Sequence, residues 1–169
     1  MAAPADYRVV GEVLRTYIIV EQGDTVLFID KHAAHERILF ERLKKNPNTY
    51  MGQRLLTPLT YRPDQEEAAL LLERHALLLE LGYEIEDFGG GTLAIRQVPS
   101  EISADDAIAC LSELAERLKI ARPTDSLRDD LLHTIACKAA IKAGWHTEAP
   151  ERDALVREVL SRDDLKYCP

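Results

Sequence analysis

Thr25-Val-Leu-Phe-Ile-Asp30-Lys-His-Ala-Ala-His-Glu-Arg-Ile-Leu-Phe-Glu41 changes its period part-way along. Up to Ile29 it is a short apolar run that suits a strand, whereas Ile38, Leu39 and Leu43 recur at helical spacing. Asp30 stands at the changeover, where a helix wants an N-cap, and Lys44 and Lys45 fall in the last turn, where cations complement the helix dipole. Outward toward the N-terminus, residues 7–20 are rich in β-branched and aromatic side chains, and Gln22-Gly23-Asp24 is a turn signal. The order is therefore strand, tight turn, strand, helix, with Asp30 and His32 at the junction.

Toward the C-terminus, Asn46-Pro47-Asn48 ends that helix and Arg54–Tyr61 reads as a strand. Pro63 opens one long helix through Leu70, Leu71, Leu77, Leu78 and Leu81, closed by Gly82. Tyr83–Phe88 and Thr92–Val98 flank Gly89-Gly90-Gly91 as a second hairpin, and a helix runs from Ser103 to about Lys119. Ala121–Thr124 is a linker, and two helices follow, about 125–143 and 149–161, separated by Gly144. The fold class is mixed α/β, of the α+β kind.

Hydrophobic residues make up 46% of the 169-residue chain and charged residues 30%, an ordinary balance for a globular protein able to bury a core unaided. No apolar run reaches the ~18 residues of a membrane span. Residues 1–6 lack the basic and apolar regions of a signal peptide and read as a lead-in or linker remnant. Three cysteines, an odd and sparse set, point to a reducing cytoplasm rather than a disulfide framework. A net charge of −8 argues against a domain that grips DNA unaided, because non-specific affinity comes from Lys and Arg on phosphates.

His32 and Glu36 are one helical turn apart, so imidazole and carboxylate lie on one face, as a shared cation requires. Asp30 adds a hard oxygen from the preceding strand. For an arbitrary His-x-x-x-Glu a solvated surface pair is the commoner outcome; Asp30 shifts the balance, and spacing alone leaves the two open. Cys137, in an Ala-rich helix, reads as a small buried hydrophobe, and His133 four residues before it makes a ligand-compatible spacing. Lys138 and Lys142 form a cationic stripe or a merely solvated face, and His133 suits packing or capping. Cys168-Pro169 is uninformative alone.

Together these stretches carry a resemblance. Asp30-Lys-His32-Ala-Ala-His-Glu36-Arg-Ile-Leu-Phe-Glu41 resembles the D-Q-H-A-x-x-E-x-x-x-x-E endonuclease motif of the MutL family of mismatch-repair proteins. Ala136-Cys137-Lys138-Ala139-Ala140 with Lys142-Ala143-Gly144 is similar to that family's second motif, and Tyr167-Cys168-Pro169 to the opening of C-P-H-G-R-P. The order is the family's, and the likeness spans essentially the whole chain. It implies a metal-dependent nicking endonuclease with Asp30, His32 and Glu36 as catalytic residues, and with Cys137 and Cys168 joining them around one or two divalent ions. Thiolate and imidazole favour zinc, while carboxylates admit manganese or magnesium. Lys31 stands where the family has Gln; Lys31, Lys138 and Lys142 are candidate phosphate contacts. The chain stops before the family's final His.

Gln53-Arg-Leu55-Leu56-Thr-Pro58 resembles the Q-x-L-L-x-P segment with which MutL proteins contact the replicative sliding clamp, a glutamine amide and two apolar anchors suited to a small groove. The resemblance further implies a homodimer with two subdomains. Residues 1–46 and 128–169 would form an internal dimerisation and endonuclease subdomain, and 47–127 an inserted external regulatory one. Strand 13–20 and helix 149–161 are candidates for the dimer face. Other implied partners are an N-terminal ATPase domain of the same protein, the mismatch-recognition protein MutS and, weakly, double-stranded DNA, with nucleoid-associated localisation. Charge is uneven in a way that fits: Arg37, Arg42, Lys44, Lys45 and Arg54 face only Glu41, along and just after the later turns of the motif helix. Tethering by the clamp or the ATPase domain would supply the effective concentration that an acidic body denies. The rival reading is a non-catalytic dimerisation and clamp-binding module with a structural zinc. A third reading, a zinc hydrolase, is disfavoured because the second His of H-E-x-x-H is missing.

Overall fold

The computed structural model describes residues 6–45, 52–120, 126–140 and 145–162. The chain divides into two compact units, Met1–Leu39 with Ala140–Pro169, and Phe40–Ala139. Both join small antiparallel sheets to helices, so the fold is α+β.

In the first unit, β1 (Tyr7–Val13), β2 (Tyr17–Gln22) and β3 (Thr25–Asp30) form a meander in the order β1-β2-β3. The run 7–20, expected as one strand, is two. It turns back at Leu14 and Arg15, whose φ angles are 55° and 52°, and the Thr16 N–H donates to the Val13 carbonyl at 3.1 Å. Neither residue favours that left-handed conformation, which is why no sequence signal marked the turn. The β2–β3 turn falls where Gly23 (φ 59°) allows it.

One face of this sheet is apolar and covered. Ile18, Val20 and Ile29 are buried with Ile38 and with Leu155, Val156, Val159 and Leu160 of α6 (Ala149–Leu160). Pro150 occupies the first turn of α6, and the Glu151 side chain accepts from the Glu148 N–H at 3.3 Å. The apolar side of α6, expected at a dimer face, is thus buried within its own unit. From β3 the chain passes directly into α1 (Lys31–Lys45), as expected.

The second unit holds β4 (Gly52–Tyr61), α2 (Gln65–Glu73), α3 (His75–Glu80), β5 (Glu84–Gly89), β6 (Thr92–Pro99), α4 (Ala104–Ile120) and α5 (Leu127–Ala139). Its sheet order is β4-β6-β5, with β6 central. The expected single helix after Pro63 is two, α2 and α3, meeting at Arg74 (φ −96°, ψ 15°). Asp64 caps the first, its Oδ1 accepting from the Glu67 N–H at 2.8 Å. The break puts Leu71, Leu78 and Leu81 all into the core, and no Gly or Pro announces it. Gly82 (φ +95°) then turns the chain so close to Pro99 that a Cβ would sit 3.0 Å from the Pro99 Cα. The core gathers Tyr83, Leu93, Ile95, Leu111, Leu114 and Leu131, all buried, and the Tyr83 hydroxyl donates to the Ala107 carbonyl at 2.9 Å. The linker at 121–124, the helix end at 46–48 and Gly144 lie outside the described residues.

Candidate metal centre

The β3–α1 junction builds the site from local rules. A helix leaves its first N–H groups unpaired, and the Asp30 side chain takes one, Oδ1 accepting from the Ala33 N–H at 3.0 Å. With Asp30 fixed at the mouth, the next helical turn sets His32 beneath Glu36. Nε2 of His32 lies 3.5 Å from Oε2 of Glu36, with side-chain exposures of 34% and 18%. A neutral imidazole nitrogen and a carboxylate oxygen facing one another at the rim of solvent are a donor pair that fits a divalent cation. One of the Asp30 oxygens is already taken up as the helix cap.

Lys31 does something other than expected. It is fully buried, and its Nζ donates to Glu12 Oε1 at 2.6 Å, to the Thr147 hydroxyl at 3.0 Å and to the Trp145 carbonyl. A side chain so enclosed does not reach a phosphate, so the expected contact is corrected to an internal charge pair. The opposite phase of the helix explains it: Lys31 sits one residue from both Asp30 and His32 and points into the unit. Glu12 and Thr147 went unnoticed in the sequence because an acid and a hydroxyl so far from Lys31 make no local pattern.

In the second unit, Phe40 on α1 stacks at a tilt on His133 of α5, centroids 5.6 Å apart, and Lys44 pairs with Asp129. His133 therefore has the packing role. Cys137 is exposed on α5, one turn beyond His133, whereas Cys110 is buried, its thiol pushed up to about 11 by burial. Lys138 pairs with Glu113 of α4 at 2.8 Å, and this hydrogen bond raises its pKa against partial desolvation. Cys168 and Lys142 lie outside the described residues.

The docking segment lies on β4, an edge strand. The ladder to β6 is interrupted between Arg54 and Leu59, and Pro58, which has no N–H to contribute, falls in the gap. Gln53 is exposed, Leu55 packs partly on the unit's own core, and Leu56 is fully exposed. Of the two anchors expected, Leu56 alone projects outward.

Residues 10–147 match the family model described as the MutL C-terminal dimerisation domain. The chain belongs to that family. It is 33% identical to the DNA mismatch repair protein MutL of Carboxydothermus hydrogenoformans over 99% of this chain and 29% of the relative. It is 36% identical to that of Caldanaerobacter subterraneus over 98% and 28%, and 31% identical to that of Neisseria meningitidis serogroup B over 94% and 25%. The chain thus spans less than a third of the length of the curated MutL relatives it matches. The matched region takes in β1 from Val10, the whole β3–α1 junction, both sheets and α5, so the His32–Glu36 pair lies within it. Among the described residues no helix is long and apolar enough to cross a membrane.

Proposed function

We propose that this chain is the metal-dependent nicking endonuclease region of a MutL-type protein in DNA mismatch repair, homodimeric and docked on the sliding clamp. The observation that carries the reading is the His32–Glu36 pair, nitrogen and oxygen 3.5 Å apart one turn behind the Asp30 cap. Asp30, His32 and Glu36 would hold a divalent ion, zinc or manganese and in principle magnesium, with Cys137 and Cys168 as thiolate ligands. A bound ion would activate water or stabilise charge on the phosphate during strand cleavage.

The dimer reading rests on the outer face of the first sheet. Val13, Tyr17, Val26 and Phe28 are exposed there, with Leu14 at the hairpin tip, and an exposed apolar sheet face is what a second copy would cover. Clamp docking rests on Gln53 and the projecting Leu56, with Leu55 and Pro58 shaping the interrupted strand. DNA binding is weak and dependent on tethering, through the clamp, an N-terminal ATPase domain and MutS, because the net charge is −8. Lys138 and Lys142 remain the candidate phosphate contacts.

The second reading, a non-catalytic dimerisation and clamp-binding module with a structural zinc, is favoured by one feature. Asp30 has a structural duty, its Oδ1 capping the helix at the Ala33 N–H, which leaves Oδ2 for an ion. Nicking of supercoiled plasmid with manganese separates the two. Asp30→Asn and Glu36→Lys should each lower nicking by about 100-fold or more while the proteins stay folded and dimeric. Absence of nicking by the unaltered chain under every metal and clamp condition would leave the module reading.

A further inference from the structure

Buried ammonium groups are rare and persist only when fully partnered. Lys31 meets that demand with partners from two remote stretches of the first unit: Glu12 on β1, and the Trp145 carbonyl and Thr147 hydroxyl in the segment leading into α6. Its own backbone N–H donates to the Thr16 carbonyl at 3.1 Å, at the strained hairpin. One residue therefore gathers the end of β1, the start of β2, the first turn of α1 and the approach to α6. Its neighbours in sequence are Asp30 and His32.

We propose that Lys31 is a positioning residue, a buried latch whose pairing with Glu12 and with the 145–147 segment fixes the first turn of α1 and so the orientation of Asp30 and His32. For its metal consequence the proposal rests on the metal reading above; for the latch itself it does not. Glu12 neutralises the ammonium, so the latch places no uncompensated positive charge beside the ion's position. A Gln at position 31 could donate to only part of this partner set, since an amide offers two N–H donors against three on the ammonium.

Hydrogen exchange and metal titration on the unaltered chain, Lys31→Met, Thr147→Val and the Glu12→Gln/Lys31→Gln pair test it. In the metal-free chain, Lys31→Met should speed exchange of peptides 30–33 and 145–148 by about ten-fold or more, with α4 peptides unchanged. Its affinity for Mn²⁺ should fall by about 10- to 100-fold, as for other groups that orient a ligand from behind. The paired amides should recover part of both losses, and Thr147→Val, which removes one partner without a charge, should show a smaller loosening confined to the same peptides. If Lys31→Met does not fold, Thr147→Val and the double variant carry the test. Unchanged exchange at 30–33 and 145–148 would overturn the latch, and loosening there with Mn²⁺ affinity unmoved would overturn its positioning of Asp30 and His32. If the unaltered chain binds neither Mn²⁺ nor Zn²⁺, the metal reading fails, and the exchange data alone decide the latch.

Discussion

The two units use similar small sheets and finish them differently. In the second, the central strand β6 has Leu93, Ala94 and Ile95 buried in succession, which requires cover on both faces because alternate side chains point to opposite sides. Helices α2 to α5 contribute to that closed core. In the first, α6 and the start of α1 cover one face of β1-β2-β3, while Val26 and Phe28 remain 53% and 68% exposed on the other. One unit buries its central strand on both faces; the other leaves an apolar sheet face outward. A domain that stands alone has little use for the second arrangement, and one that pairs with a copy of itself needs it.

The sharpest break in this contrast is a cavity in the closed core. Leu111→Ala, at a fully buried site, should lower unfolding stability by about 3–5 kcal/mol in urea titration. An effect under 1 kcal/mol would mean the second unit is less tightly packed than its burial implies. Phe28→Glu should do the opposite kind of damage. Monomer stability should shift by only about 0.5 kcal/mol, while self-association in sedimentation equilibrium weakens by roughly 100-fold. Undiminished dimerisation would move the interface to another surface.

A smaller effect tests the strained tip. Leu14 holds a left-handed conformation that costs an L-residue roughly 1–2 kcal/mol, part of which Gly returns through its freer unfolded state. Leu14→Gly, measured in the Phe28→Glu background so that association does not intrude, should therefore raise stability by about 0.5–1 kcal/mol. Smallest of all is an acid-limb effect in the second unit. The Arg96 hydrogen bond holds Glu86 below its ordinary 4.5. A depressed carboxylate stabilises the fold above its unfolded value and loses that contribution as pH falls through the folded one. Glu86→Gln should thus flatten the acid end of the stability profile slightly, with the two proteins converging at the lowest pH; because the pair is open to solvent on one side, its effect is minor.

The regular elements were legible wherever the chain carries its own punctuation. Asp30 before a helical period, Gly23 at one turn, Gly89 to Gly91 at another and the Asp64 cap behind Pro63 all act through neighbours a few residues away. The misses share the opposite property. Leu14 and Arg15 turn without glycine because β1 and β2 pair on either side of them, and helices α2 and α3 part at Arg74 because burial of Leu71, Leu78 and Leu81 outweighs helix continuity. At the site, His32 and Glu36 were readable from one turn of helix. The fate of Lys31 was not, since a lysine beside a motif looks the same whether it faces solvent or the interior.

By itself the sequence determined the α+β class, the strand-to-helix junction and the His32–Glu36 face, because each follows from periodicity and capping over short separations. Only tertiary structure decided that the first strand folds back on itself, that Leu56 and not Leu55 projects, that α6 turns its apolar side inward, and that Lys31 is buried against Glu12, Trp145 and Thr147. These outcomes depend on which distant groups meet. Burial and electrostatic pairing act across space, without regard to how far apart the partners lie along the chain.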